Sequence, residues 1–158
     1  MSQIEQRIRA MGFELPAPFR FPSPNRTGCV LVGNVLFVSG HGRDLPAWPG
    51  VKHAGKVPAD VSVEEGYATA RAVALSMLAS IKQELGDLDR VKRVVRLFGM
   101  VNASPGFERM PNVIDGASDF FYEVLGPVNG RHARTAIGVA ELPHRIPVEI
   151  NGEFEVHP

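Results

Sequence analysis

Two side chains in the last quarter of the chain, Arg134 and Glu149, sit in patterns from which chemistry could be built. From Ala133 to Ala140 the residues alternate with a period of two, the mark of a half-buried strand. Ala133, Thr135, Ile137 and Val139 share one face, while Arg134, Ala136, Gly138 and Ala140 share the other. That second face is an arginine on a floor of small residues, where nothing competes with the guanidinium for room. A small anion could lie there. A second alternation puts Val148, Ile150, Phe154 and Val156 on one face and Glu149, Asn151, Glu153 and Glu155 on the other. Each residue also has a plain reading: Arg134 as an exposed strand arginine paired with a neighbouring carboxylate, Glu149 as one of four polar residues on a solvated face.

Other chemistries find no pattern. His41, His53, His132, His144 and His157 show neither His-x-His nor His-x-x-x-His spacing, and there is no cysteine pair, so no metal site is expected. Gly40-His-Gly42 begins like a dinucleotide fingerprint, but Leu45 stands where the third glycine belongs. No Walker loop or Gly-x-Ser-x-Gly elbow occurs. Cys29 lies within an apolar strand pattern, where a thiol is ordinarily inert packing.

The elements that must position these residues follow in chain order. Ser2 and Glu5 form a capping box, Ile4, Ile8 and Met11 share one helical face, and Gly12 supplies the stop. Pro16, Pro18, Pro22 and Pro24 then alternate with Phe19 and Phe21, predicting an extended arm pinned by aromatics. Gly28 to Gly40 reads as a hairpin turned at Gly33-Asn34. A loop covers 43–55, with a short strand possible near Lys56. A second capping box at Ser62 and Glu65 opens a long helix ending at Gly86, with a stripe that includes Ala70, Val73, Met77 and Ile81. Residues 91–101 are apolar on both faces, Val95, Leu97 and Val101 on one and Val94, Phe98 and Met100 on the other. Pro111 starts another helix with Val113, Ala117, Phe120, Phe121 and Val124 inward, ending at Gly126-Pro127. A closing pair of strands carries Arg134 and Glu149. A symmetric hairpin centred near His144 would put Arg134 opposite Phe154, so cooperation with Glu149 needs an irregular register or a contact between subunits.

A chain of 158 residues is long enough for one domain, expected over 1–158 with 1–26 as helix and arm and 27–158 as an α+β core. Seventeen basic and seventeen acidic side chains leave no net charge, which argues against a nucleic-acid partner. The single cysteine fits a reducing compartment, and no apolar run is long enough to span a membrane, so a cytoplasmic location is expected. Two helices cover one face of a sheet, leaving the other to self-association.

Ala133-Arg-Thr-Ala-Ile-Gly-Val-Ala-Glu-Leu-Pro143, followed by Val148-Glu149-Ile150, resembles the C-terminal signature of the RidA (YjgF-type) reactive-intermediate deaminase family. The resemblance extends back through Gly33–Gly40 and covers nearly all of the chain after about Thr27. It implies an α+β, chorismate-mutase-like mixed sheet with two main helices on one face and the other buried in a homotrimer. It further implies hydrolysis of 2-imino acids to 2-oxo acids and ammonia in clefts between subunits, without a cofactor. In that scheme Arg134 grips the substrate carboxylate, for which a planar fork of donors suits better than a point charge. The backbone carbonyl of Ala136 accepts from the iminium nitrogen, Glu149 orients and deprotonates water, and Ser39 and Gly40 line the wall. His41 stands where the family usually carries Gln, and is a pocket-wall candidate. The family's pocket tyrosine aligns near Arg26, and its asparagine before the second helix's aromatics falls near Ile114. The runner-up is a non-catalytic binder of small carboxylates using Arg134; an endoribonuclease reading is disfavoured by the neutral charge.

Overall fold

A computed structural model describes residues 1–158. Its secondary structure is α1 (Gln3–Ala10), β1 (Cys29–Val32), β2 (Val35–His41), α2 (Val63–Leu85), β3 (Val91–Asn102), α3 (Met110–Asn129), β4 (Ala133–Val139) and β5 (Val148–Val156). The strands form one mixed sheet in the order β1-β2-β5-β3-β4. Helices α2 and α3 pack side by side on one face, giving the α+β architecture expected. They approach closely at Gly116, where a Cβ would lie 2.1 Å from the carbonyl oxygen of Tyr67. Any larger residue there would force the helices apart.

Both capping boxes form, Ser2 with Glu5 and Ser62 with Glu65. An eight-residue helix is too short to persist alone. Helix α1 persists because Ile4 and Ile8 are buried, each worth about 1.5–3 kcal/mol. Its first N–H groups are received by the carboxylate of Asp89, from Gln3 at 2.8 Å and Ile4 at 3.1 Å. The hairpin β1–β2 turns at Gly33-Asn34 as its pattern predicts.

Four expectations are corrected. The last two strands are not paired. β4 runs parallel to β3 at the sheet edge, and β5 is inserted between β2 and β3. The reason lies in β3, whose twelve residues can pair along both edges, and in α3, a crossover long enough to return the chain parallel. The faces of β3 also differ from simple alternation. A register shift between Val94 and Arg96 leaves Val95 exposed and brings Val94, Leu97 and Val101 together on the helix-covered face. Phe98 and Met100 fall on the open face, opposite Asn151 and Glu149. Finally, no strand forms near Lys56; a lone bridge joins Val57 to Ala103. Helix α3 also does not stop at Gly126 but kinks there and continues to Asn129.

The face away from the helices exposes Val30, Phe37 and Ile137, interrupted by the two-pronged ion pair of Arg96 with Glu153 (3.0 and 2.7 Å). None of the helices is long and apolar enough to cross a membrane.

Candidate functional site

The chemistry-bearing residues fall into two groups on opposite faces of the sheet. Arg134 is in register with Leu97, on the face beneath α3, whereas Glu149 is in register with Met100 on the open face. The floor around Arg134 is not bare, because α3 roofs it. Nη1 of Arg134 donates to Asp115 at 2.7 Å and to the hydroxyl oxygen of Ser118 at 3.1 Å. Within the chain, the carboxylate pairing of the plain reading is therefore realised, and Asp115 is the partner.

The group continues to His132, which is half-buried and hydrogen-bonded rather than a free surface residue. Its Nδ1 lies 2.7 Å from the carbonyl of Gly130, an acceptor, so Nδ1 carries the proton. Nε2 then accepts from Ser118 at 2.9 Å. Burial, and then the nearby Arg134 charge, hold this imidazole below its usual range, offsetting the Gly130 bond. Ala136 sits two residues along, packed against the core in register with Gly99. Since β4 is an edge strand, one of its two rows of backbone groups has no strand partner within the chain.

Glu149 belongs to a different environment. Strand β2 shifts register between Val38 and His41, and the bulge brings Gly40 against the Glu149 side chain. A Cβ on Gly40 would lie 2.9 Å from Oε2 of Glu149, so glycine there makes room for the carboxylate. Glu149 has no ion-pair partner in the chain, and burial raises its pKa. It faces a cavity of about 210 Å³, whose wall includes Phe19, Phe21, Arg26, Gly40, His41, Arg43, Pro143 and His144.

His41, 3% exposed, takes its place through two internal bonds. Nδ1 lies 2.6 Å from the Ser39 carbonyl and Nε2 lies 2.8 Å from the Ser80 hydroxyl on α2. The carbonyl can only accept, so Nδ1 carries the proton and Nε2 accepts from Ser80. Burial lowers the imidazole pKa, and with both nitrogens engaged the ring is a wall and a brace for the bulge rather than a proton carrier. The Ser39 hydroxyl donates to the carbonyl of Thr27 at 2.6 Å and fastens the arm. Two larger grooves, about 510 and 640 Å³, run along the arm and α2 and contain neither Arg134 nor Glu149. Cys29 borders the second of these, its thiol pushed up to about 12 by burial.

The residues that sequence patterning did not place at the cavity come from segments without periodicity. The arm contributes Phe19, Phe21 and Arg26; their rings pack at 5.9 Å (Phe21) and 6.4 Å (Phe19) from His41. Arg43 lies 5.9 Å from the Phe19 ring centre, a cation–π contact. All three non-glycine residues with positive φ, Asp44, His144 and Arg145, lie at or beside this wall. Such conformations cost on the order of 1–3 kcal/mol each and cluster where function needs them. No three His, Cys, Asp or Glu side chains converge to hold a metal ion.

A mixed sheet of this order, backed by two helices and notched at a glycine bulge beside a lone carboxylate, defines an α+β protein of the YjgF type. The chain belongs to the family described as YjgF/chorismate_mutase-like, putative endoribonuclease, whose match spans residues 5–145. It is 41% identical over 156 residues to Protein TCP17 of Trypanosoma cruzi, covering 98% of this chain and 95% of that one. The crystal structure of Atu1372 from Agrobacterium tumefaciens, a protein described as of unknown function, is 38% identical with a TM-score of 0.86, over 98% of this chain and 93% of that one. A Shewanella oneidensis structure described as a putative endoribonuclease is 32% identical, also with a TM-score of 0.86, over 97% and 99% of the two chains.

Proposed function

We propose that this protein hydrolyses 2-imino acids to 2-oxo acids and ammonia, at a site completed between copies of the chain. The observation that carries the reading is Glu149: a carboxylate without a partner, desolvated, facing a cavity beside a glycine that leaves it room. A base for water needs such a position, since burial raises its proton affinity toward the working pH. The imine carbon is already electrophilic, so orientation and one proton acceptor suffice. Water adds to that carbon and gives one proton to Glu149, which passes it to the nitrogen; the new hydroxyl then returns its proton to Glu149 as the C=O bond forms and the carbon–nitrogen bond breaks to release ammonia.

Arg134 would hold the substrate carboxylate and the Ala136 carbonyl would accept from the iminium N–H. Because Arg134 and Glu149 lie on opposite faces, one copy must supply the first and a second copy the other. The exposed Val30, Phe37 and Ile137 support association through the open face, and the family resemblance suggests three copies. Light scattering at micromolar concentration should give a trimer; a monomer would leave Arg134 and Glu149 unable to cooperate. The activity test couples an amino-acid-eliminating enzyme to detection of the 2-oxo acid, with and without this protein. No acceleration, with 2-oxo acid binding intact, would favour the second reading, a small-carboxylate binder using Arg134. An RNA substrate is disfavoured by the absence of net charge and by a cavity of only about 210 Å³.

A further inference from the structure

Beside Glu149 the cavity holds two cations, Arg26 and Arg43. Neither is within ion-pairing distance of a carboxylate anywhere in the chain, Glu149 included. Arg26 is bonded only to the side-chain oxygen of Asn25, at 3.0 Å, and Arg43 lies against the Phe19 ring. Burial alone raises the pKa of Glu149, with no opposing attraction from either guanidinium. Both charges therefore remain available to an anion that enters from outside. Arm and loop hold them in place, through the Ser39–Thr27 bond and the packing of Phe19 and Phe21 on His41.

If Arg134 of a second copy grips the carboxylate next to the imine, these two arginines have no role with a substrate bearing one acid group. We infer that they form a subsite for a second acidic group, so that the preferred substrates are imines of 2-oxo dicarboxylic acids. The inference rests on the hydrolase reading for the identity of the imine, but not for the dicarboxylate preference itself. A carboxylate on the substrate side chain, carried two or three bonds beyond the imine carbon, would reach toward Arg26 and Arg43 while the carbon stays near Glu149. Phe19 and Phe21 would flank the intervening methylenes.

Binding can be measured apart from turnover. Calorimetry with 2-oxoglutarate and with 2-oxobutanoate should show the dicarboxylate bound more tightly by roughly tenfold to a hundredfold, the worth of one charge-assisted contact. Arg43→Gln and Arg26→Gln should each reduce that ratio about tenfold, with unchanged melting temperature as the control for folding. Equal affinity for the two acids, or a ratio that survives both substitutions, overturns the subsite. Preference for phenylpyruvate over 2-oxoglutarate overturns it too, and assigns the wall to its aromatic rings. The two readings fail separately. Dicarboxylate preference without hydrolysis of any imine sinks the hydrolase and keeps the subsite. Hydrolysis of monocarboxylate imines with no dicarboxylate preference does the reverse.

Discussion

The surroundings of Arg134 and of Glu149 differ in whether the chain answers its own charges. Under α3, Arg134 bonds to Asp115 and Ser118, Ser118 to His132, and His132 to the Gly130 carbonyl. Nη1 of Arg134, the Ser118 hydroxyl and Nδ1 of His132 each meet an acceptor within the chain. At the bulge of β2, Glu149, Arg26 and Arg43 share a cavity without an ion pair among them. Desolvating a carboxylate without compensation is costly, so a fold keeps Glu149 unpaired beside two unpaired guanidinium groups where an incoming group supplies the partner. The closed network resists substitution through structure; the open cavity should respond through binding and turnover.

The sharpest break between the two is expected from Glu149→Gln. It preserves size and removes the proton acceptor, so turnover should fall about 10²–10⁴-fold. Affinity for a 2-oxo acid should stay close to wild type, because in the proposed reaction Glu149 acts on water and not on the carboxylate. Unchanged turnover would make Glu149 a solvated strand residue. Arg134→Lys is expected to act the other way, weakening carboxylate binding by roughly 1.5–3 kcal/mol, or one to two orders of magnitude. If neither substitution alters turnover, imine hydrolysis does not occur at this site.

How far these sites were legible in the sequence follows the same division. Alternation and capping boxes placed both hairpin strands, both long helices and the inward residues of α3, since each pattern reflects a local period. Strand order was not legible. Nothing local tells β5 to enter between β2 and β3, and the register shift at Val94–Arg96 turns Val95 out of the alternation. Arg134 and Glu149 stood out as charges within regular strands. Arg26, Arg43 and His144 did not, because they lie in segments without periodicity that only tertiary packing brings to the cavity. A carboxylate partner for Arg134 is one reading of the strand pattern, but Asp115 lies 19 residues away on a helix whose periodicity marks only its apolar stripe.

The two regions should also have opposite pH signatures. In the fold, Glu149 keeps its proton to higher pH than the unfolded chain, which releases it near about 4.3. The folded state thus binds more protons in that window, and stability falls as pH rises through it. Glu149→Gln should therefore raise the denaturation midpoint at pH 7, with the gain vanishing at acid pH. His132 behaves inversely. Its folded pKa lies below the unfolded value of about 6.5, so the unfolded chain binds more protons there and stability falls as pH drops through that region. Denaturant titrations of His132→Gln should show a flatter pH dependence between about 8 and 5.5. A slope equal to that of wild type would mean that His132 is not held neutral by its network.

The smallest effect probes whether the closed network competes with a ligand. Asp115 occupies Nη1 of Arg134, the same guanidinium that would hold a substrate carboxylate. Asparagine at this position can still accept the hydrogen bond, so Arg134 stays oriented while its opposing charge is removed. The Asp115 side chain is 45% exposed, and an ion pair so open to water is worth only about 0.2–1 kcal/mol. Asp115→Asn should accordingly tighten 2-oxobutanoate binding by no more than about fivefold, and added salt should narrow the difference from wild type. A gain of that size would mark Asp115 as a weak competitor that any bound carboxylate must displace or share. A loss instead would mean that the charge of Asp115 fixes the fork in its binding orientation, making it a positioning residue for Arg134.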